Sequence, residues 1–172
     1  DRLVNIYQND PAGRPLVVSS YATYLQIAEY TDVFAATTAA TIPLPARYLH
    51  GEAVRDAMVE YSTATYLATL GLRPSLGRWF EDAEERSDAP PVGVLGYQAW
   101  TKVFRADPSV IGRVIRLDGR PMTIVGIGPA NYRGTVDIGL GTDFWLPITA
   151  LPATEAPGIR SAATIHAPLL VK

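Results

Sequence analysis

The sequence predicts an α+β domain in which short strands and short helices alternate. Apolar residues make up 48% of the 172 residues and charged residues only 19%, as in a globular chain with a packed core. Segments with the two-residue period of strands alternate with segments that have helical spacing. Prolines and glycines, 14 of each, separate these segments.

The strongest local signal is a β-hairpin between Val114 and Ile127. Its centre, Asp118-Gly119, supplies the two residues that a tight type I′ turn needs at positive φ. Pro121 is expected to point its missing N–H away from the partner strand. Further strands are predicted from alternation or short apolar runs at Leu3–Tyr7, Val33–Thr41, Ala53–Thr63, Val92–Leu95, Asp143–Ile148 and Thr164–Val171. Pro43 and Pro45 are expected to end the predicted strand Val33–Thr41.

Three helices are predicted from apolar residues at helical spacing. The helix at Ala64–Leu70 ends at Gly71, which can adopt the left-handed conformation after a helix. The helix at Tyr97–Phe104 stops before Asp107-Pro108, because the residue before a proline avoids the α region. The first helix follows a serine cap, and its stripe consists of Tyr21, Tyr24, Leu25 and Ala28.

Charge and composition exclude several classes of function. Fifteen basic against 17 acidic residues give a net charge of −2, which argues against a nucleic-acid partner. The absence of cysteine excludes a disulfide framework, a thiolate metal site and a cysteine nucleophile. No apolar run reaches the roughly 18 residues that cross a bilayer, so we expect the numbered chain to be soluble by itself.

The sequence has none of the short motifs that carry chemistry. Gly126-Ile127-Gly128 lacks the third glycine of a dinucleotide-binding loop, and no Gly-x-Ser-x-Gly elbow occurs. His50 and His166 have no metal-ligand spacing, and the acidic run Glu81–Asp88 lacks the pattern of a calcium loop. We therefore expect no catalytic residue, no cofactor-binding residue and no metal ligand. A carboxylate pair assembled in space stays open, but nothing singles one out.

Aromatic and basic residues leave two interpretations open. Trp79, Trp100 and Trp145 could line a ligand groove, or they could pack in the core, as tryptophans spaced over separate elements usually do. Arg133, beside Gly134, could position a carboxylate of a partner.

Three blocks in a fixed order carry a resemblance to a known family. The chain resembles the MacB-like periplasmic core domain of ABC-transporter permeases, in particular the duplicated orphan permeases of the FtsX-like group, over about residues 16 to 150. The blocks are Ser20-Tyr21 to Val33-Phe34; Gly51-Glu52 through Leu70-Gly71-Leu72-Arg73-Pro74 and Leu76-Gly77-Arg78 to Phe80; and Pro91-Val92 through Trp100, Asp107-Pro108 and Val110-Ile111-Gly112 to Trp145-Leu146-Pro147.

The resemblance implies two subdomains. A porter-like βαβ unit would comprise residues 1–62 and 148–172, and a smaller mixed α/β, Sabre-like subdomain would be inserted at residues 63–147. Family members continue beyond the last predicted strand into a further helix and a membrane span. The porter-like unit is therefore expected to be C-terminally truncated.

The resemblance also implies a non-enzymatic role on the periplasmic side of the bacterial inner membrane. The domain would follow the first transmembrane helix of a permease and couple ATP-driven motion of the membrane helices to export of a substrate. Its implied partners are the transmembrane helices of the parent permease, an ATPase domain or subunit that binds the ATP, and a periplasmic protein or substrate.

Two rival functions belong to other classes. A protein-recognition module that regulates a cell-envelope hydrolase would need an exposed apolar patch around Trp79, Phe80 and Tyr132. With Arg133, these are the residues that we predict to contact a partner or substrate. An enzyme, such as a glycosidase or esterase, would need two carboxylates with displaced pKa values in one cleft.

Overall fold

The computed structural model describes residues 3, 6, 8–9, 15–16, 21–134, 141–151 and 164–166. Short strands and helices alternate along the chain, as the sequence predicts. Three 3₁₀ turns connect them, at Asp82–Glu85, Pro108–Val110 and Ile148–Ala150. In chain order, the regular elements are β1 (Gln8–Asn9), β2 (Pro15–Leu16), α1 (Tyr21–Ala28), β3 (Thr38–Ala40), β4 (Leu44–His50), β5 (Ala53–Ser62), α2 (Tyr66–Thr69), β6 (Leu76–Gly77), β7 (Val92–Leu95), α3 (Tyr97–Lys102), β8 (Val114–Leu117), β9 (Arg120–Ile127), β10 (Phe144–Pro147) and β11 (Thr164–His166).

Six strands pair in a closed ring. Around the ring, β4 is antiparallel to β5, β5 is parallel to β10, and β10 is antiparallel to β7. β7 is parallel to β9, β9 is antiparallel to β8, and β8 returns to β4 through one pair, Tyr48 with Leu117. β3 and β11 extend the sheet from β5, and β6 pairs with the end of β9. Closure gives each of the six ring strands a neighbour on both sides.

The inside of the ring is the main hydrophobic core, to which all six strands contribute. Ala57, Val59 and Tyr61 point inward from β5, and Phe144 and Leu146 do so from β10. This spacing follows from the alternation of side chains between the two faces of a strand. Burial of this apolar surface is the main contribution to the stability of the ring.

A second core covers part of the outer face of the ring. It contains strand residues whose side chains point away from the main core, including Val94 and Trp145. Tyr66 and Leu67 of α2 and the segment that ends in Phe80 pack against them. β7 and β10 are therefore buried on both faces, which explains why their sequences read as continuous apolar runs.

The hairpin prediction is confirmed. Asp118 and Gly119 have φ values of 46° and 78°, as a type I′ turn requires. Pro121 is paired with Arg116, next to the pair Leu117–Arg120 that closes the turn. Because hydrogen-bonded and non-hydrogen-bonded pairs alternate in an antiparallel ladder, Pro121 occupies a position where no N–H is needed for a bond to β8. The predictions for β5, β7 and β10 also hold to within a residue or two. Of the predicted strand Thr164–Val171, β11 is described and the remainder lies outside the described residues.

The predicted end of the strand before Pro43 is confirmed, because β3 ends at Ala40, but Pro45 lies inside β4, a strand that was not predicted from the sequence. Pro45 faces Met58 of β5. The Met58 amide donates to Oδ2 of Asp143 at 2.9 Å, and its carbonyl accepts from the Asp143 amide at 2.8 Å. Met58 therefore needs no backbone bond from Pro45, and a proline is tolerated there.

Two other strand predictions need correction. The strand predicted at Val33–Thr41 is reduced to β3, because residues before it form turns and irregular backbone. Of the strand predicted at Leu3–Tyr7, only Leu3 and Ile6 are described, and neither is in a strand. The other residues of that prediction lie outside the described part of the chain.

The three predicted helices are present with adjusted ends. Within the predicted apolar stripe of α1, Tyr24 is the buried residue and Leu25 is 49% exposed. α2 ends before Gly71, whose φ of 69° confirms the left-handed position. α3 ends two residues earlier than predicted, and Asp107 caps the next 3₁₀ turn by accepting from the Ser109 amide.

The predicted division into residues 1–62 with 148–172 and residues 63–147 crosses this architecture. β4 and β5 belong to the first predicted part, and β7 to β10 belong to the second. Both parts share one ring, in which β5 pairs with β10 over four residues. The subdomain boundary stays a prediction, and the described residues on its two sides form a continuous sheet.

Candidate functional site: a buried carboxylate and its aromatic cluster

Glu60 is a fully buried carboxylate on the outer face of β5. Its Oε1 accepts a hydrogen bond from the Tyr66 hydroxyl at 2.6 Å. Its Oε2 accepts from the Thr142 hydroxyl at 2.9 Å and from the Trp145 indole N–H at 3.2 Å. Hydrogen bonds to an ionised acceptor are stronger than neutral ones. Glu60 thus connects β5 with α2 and with the segment that leads into β10.

A second tyrosine extends this network toward the surface. The Tyr132 hydroxyl lies 2.6 Å from the Tyr66 hydroxyl, and since Tyr66 donates to Glu60, Tyr132 is its donor. Burial, reinforced by the nearby charge of Glu60, raises the pKa of Tyr66 well above 10. Burial likewise raises the pKa of Tyr132. Both side chains therefore remain neutral phenols that can donate throughout the neutral range.

Aromatic rings surround the network in one continuous layer. The Trp79 ring stacks on Phe80 with centroids 4.6 Å apart, and lies 5.9 Å from Trp145 and 6.0 Å from Tyr66. The Tyr132 ring stacks on Trp145 at 6.3 Å. Offset and tilted pairs at such separations are favourable beyond the area they bury. The low polarity of this layer strengthens the hydrogen bonds to Glu60.

Gly134 permits the close approach of the Tyr132 segment to the carboxylate. Its φ is 115°, and a Cβ placed there would lie 2.5 Å from Thr142 Oγ1 and 2.6 Å from Glu60 Oε2. Both the backbone conformation and the lack of space exclude a larger residue. The backbone is held in place by the Thr142 amide, which donates to the Arg133 carbonyl at 2.8 Å.

The four predicted contact residues lie at different depths. Trp79 is 9% exposed and Phe80 is 2% exposed, so neither provides the exposed apolar patch that the recognition alternative requires. Tyr132 is half-buried and Arg133 is exposed. The structure brings Trp79, Phe80 and Tyr132 together in the aromatic layer. Contact with a partner stays a prediction for all four.

Glu60, Tyr66 and Thr142 are not among the site residues predicted from the sequence. One signal was available for Glu60, which is a single charge between Val59 and Tyr61 at the apolar end of a strand. A strand position of this kind, on the face opposite to the core residues, demands a polar partner when that face is covered. Its partners Thr142 and Trp145 are 82 and 85 residues away along the chain, so pattern alone did not reveal them.

Other titratable groups are engaged with the backbone. Burial raises the pKa of Asp143, whose carboxylate accepts from the Met58 amide, and the pKa of Glu85, whose carboxylate accepts from the Ala64 amide. His50 packs its ring edge-on against Phe104 at 4.7 Å.

Within the described ranges, no group of three His, Cys, Asp or Glu side chains could hold a metal ion. In the same residues, no helix is long and apolar enough to span a bilayer.

Comparison with known families agrees with the sequence blocks. The model of the MacB-like periplasmic core domain matches residues 1–167. The chain belongs to this family. The resemblance stated from the residues is thereby confirmed, over more of the chain than the 16 to 150 that the blocks cover. Among curated protein sequences, none matches this chain.

Three solved structures share this mixed α and β fold. The periplasmic region of MacB from Actinobacillus actinomycetemcomitans is 17% identical with a TM-score of 0.69, over 99% of this chain and 75% of that one. The extracellular domain of the ABC-type transporter YknZ from Gram-positive bacteria is 14% identical with a TM-score of 0.65, over 98% and 82%. A domain of a permease protein from Porphyromonas gingivalis is 16% identical with a TM-score of 0.60, over 99% and 74%.

Proposed function

We propose that this MacB-like domain is a non-catalytic, extracytoplasmic part of a permease and acts as a stiff extension of its membrane helices. The observation that carries the proposal is the Glu60 network, which ties distant segments of the chain into one body. A part that transmits motion must keep its own shape while its neighbours move. Export of a substrate, or action on a periplasmic protein, would follow from displacement of this body.

The network resists internal shear for a specific reason. If β10 moved relative to β5, the Trp145 N–H and the Thr142 hydroxyl would lose their acceptor inside a covered, apolar layer. A buried donor left without a partner costs about 1–3 kcal/mol. The parallel ladder between the two strands would break at the same time. Sliding within the domain is therefore costlier than movement of the domain as a whole.

The energy for this motion would come from ATP bound to another domain or subunit. The glycines Gly126 and Gly128, which superficially suggest a nucleotide loop, have packing roles instead. Gly126 lies directly against the Arg78 backbone, and Gly128 lies under the Trp145 ring. We expect calorimetric titration of the purified chain with ATP to give no heat of binding. A micromolar dissociation constant would contradict this part of the proposal.

The coupling role is testable in the full-length permease with pairs of spin labels. The chain has no cysteine, so Glu52→Cys and Ser75→Cys, both at exposed positions, introduce unique sites in this domain. Pulsed electron paramagnetic resonance would measure the distance between them, and from each to a label on a membrane helix, with and without ATP. We expect the internal distance to change by less than about 1 Å, the size of shift seen in rigid partners. The distance to the membrane label should change.

Two outcomes would contradict the proposal. One is a nucleotide-dependent change of the internal distance, which would mean that the domain itself rearranges. The other is a fixed distance to the membrane label in every nucleotide state, which would mean that the domain does not move with the helices. A labelled ATPase-deficient permease is the matched control, because its distances should not respond to turnover.

The alternative, a protein-recognition module that regulates a cell-envelope hydrolase, is favoured by one feature. Trp79 does not form an exposed patch, but it forms a wall of a surface cavity beside α2. The domain could both transmit motion of the membrane helices and bind a partner protein at this cavity.

A further inference from the structure

The turn between β8 and β9, Asp118-Gly119, is open to solvent. Both residues are exposed, and a Cβ placed on Gly119 would have no atom within 4 Å apart from those of its chain neighbours. Of the aspartates in the sequence, Asp118 alone is followed by glycine, and no asparagine is. Because glycine has no side chain, its nitrogen can approach the carboxyl group of the preceding aspartate with little steric hindrance. The turn therefore exposes a pair of groups that can react with each other.

The Gly119 amide, which would be the nucleophile of that reaction, is not held in the fold. The Asp118 amide donates to the Arg47 carbonyl at 2.7 Å, and the Arg47 amide donates to Asp118 Oδ1 at 2.8 Å. Among the described residues, however, none accepts from the Gly119 N–H and none donates to Asp118 Oδ2. Loss of the Gly119 proton to water therefore breaks no hydrogen bond within the described part of the chain.

We propose that Asp118 is a modification site, which converts spontaneously to isoaspartate with water as the co-reactant. The Gly119 nitrogen attacks Cγ of Asp118 and forms a C–N bond, while the carboxyl hydroxyl and the amide proton leave together as water. The product is a five-membered succinimide. Water then adds to the former backbone carbonyl of Asp118 and breaks its bond to the Gly119 nitrogen, so the main chain now runs through Cγ. The overall composition is unchanged, and no electron is transferred.

The modification acts on the place where the ring closes. β4 and β8 meet at the pair Tyr48–Leu117, and the two bonds between Arg47 and Asp118 lie next to it. Isoaspartate puts one additional carbon into the main chain of a two-residue turn, whose length fixes the register of the flanking strands. The carboxylate that remains is attached directly to Cα, and the Arg47 amide loses its acceptor. The ring therefore loosens between β4 and β8 as the molecule ages.

The test is incubation of the 172-residue chain at neutral pH and physiological temperature in water enriched in oxygen-18. Each passage through the succinimide adds one heavy oxygen at residue 118. Mass spectrometry of proteolytic peptides locates the heavy oxygen, and electron-transfer fragmentation distinguishes isoaspartate from aspartate. Asp82, which is exposed and followed by Ala83, is the internal control. The same incubation in concentrated urea gives the rate for the unfolded chain.

Heavy oxygen and isoaspartate should accumulate at residue 118 and stay at background at Asp82. The rate in the folded chain should be at least about one tenth of the rate in urea, because an exposed turn opens locally at little cost in free energy. Asp118→Asn, whose side chain carries no charge, should react faster and release ammonia in place of water. Asp118→Glu should not react, because its longer side chain does not form the five-membered ring.

The effect on the ring is measured on the isoaspartate form after its separation by chromatography. Its Arg47 amide should exchange with solvent about 2- to 10-fold faster than that of the unmodified chain, as loss of one hydrogen bond predicts.

Three outcomes would overturn the inference. The first is a folded rate below one tenth of the rate in urea, which would mean that the native turn protects Asp118. The second is equal uptake of heavy oxygen at Asp82, and the third is an isoaspartate form in which exchange of the Arg47 amide is unchanged. The inference goes beyond the proposed function, and none of these outcomes bears on the spin-label distances in the full-length permease.

Discussion

Replacement of Glu60 by methionine tests the network on which the proposed stiffness depends. Methionine has a similar length and fills the space, but it offers no oxygen to the three donors. Tyr66 keeps a partner in the Tyr132 hydroxyl, at 2.6 Å. The Thr142 hydroxyl and the Trp145 N–H lose the acceptor that each has in Glu60. At about 1–3 kcal/mol for each unsatisfied buried donor, the free energy of unfolding should fall by about 2–6 kcal/mol.

The loss can be measured by urea denaturation followed by circular dichroism. For a chain of this length, the melting temperature should also fall by about 2–4 °C for each kcal/mol. Glu60→Gln retains one acceptor oxygen and should lose less stability than Glu60→Met. Glu52→Met, at an exposed turn position, is the matched control and should change stability by less than about 0.5 kcal/mol. A Glu60→Met variant as stable as the unsubstituted chain would refute the reasoning.

Three further substitutions test neighbouring features. Gly134→Ala should cost about 1–3 kcal/mol more than Gly51→Ala, because both glycines have positive φ but only at Gly134 would a Cβ collide with neighbours; equal losses in chemical denaturation would contradict the packing argument. Tyr66→Phe should flatten the decline of stability above pH 10. There, the unfolded tyrosine ionises while burial keeps folded Tyr66 neutral, so each pH unit costs the unsubstituted chain up to about 1.4 kcal/mol. Parallel pH profiles of the two proteins would argue against the raised pKa. Asp118→Gly should speed hydrogen exchange of the Arg47 amide, which donates to Asp118 Oδ1 at 2.8 Å, whereas Asp118→Asn, which keeps both the acceptor and the tolerance of positive φ, should not. Equal exchange in the two variants would count against a role for that side chain in closing the ring between β4 and β8.

Elements whose determinants are local were predictable from the sequence. The Asp118-Gly119 turn is specified by two adjacent residues that tolerate positive φ. Gly71 marks the end of α2 for the same reason. β7 is predictable because four consecutive buried residues are enclosed by proline and glycine. The order and spacing of such local signals also sufficed to place the chain in its family.

Features that depend on distant residues were not predictable. β4 was missed because Pro45 is acceptable only when Met58 finds its backbone partners in Asp143, 85 residues further along the chain. The same distance separates Glu60 from Trp145. Closure of the ring depends on the pair Tyr48–Leu117 and on Asp118, whose amide donates to the Arg47 carbonyl and whose side chain accepts from the Arg47 amide. Pattern along the chain indicates which residues are buried, but it does not indicate which segments meet.

Hydrogen exchange in the full-length permease tests the central claim most directly. The informative amides are those of β5 from Met58 to Ser62 and those of β10, measured with ATP absent, bound and turning over. If the domain is a stiff body, the protection of these amides should be the same in all three states, while exchange in the membrane region changes. A loss of protection in β5 or β10 in any one nucleotide state would show that the ring opens during the cycle, and the account would be wrong.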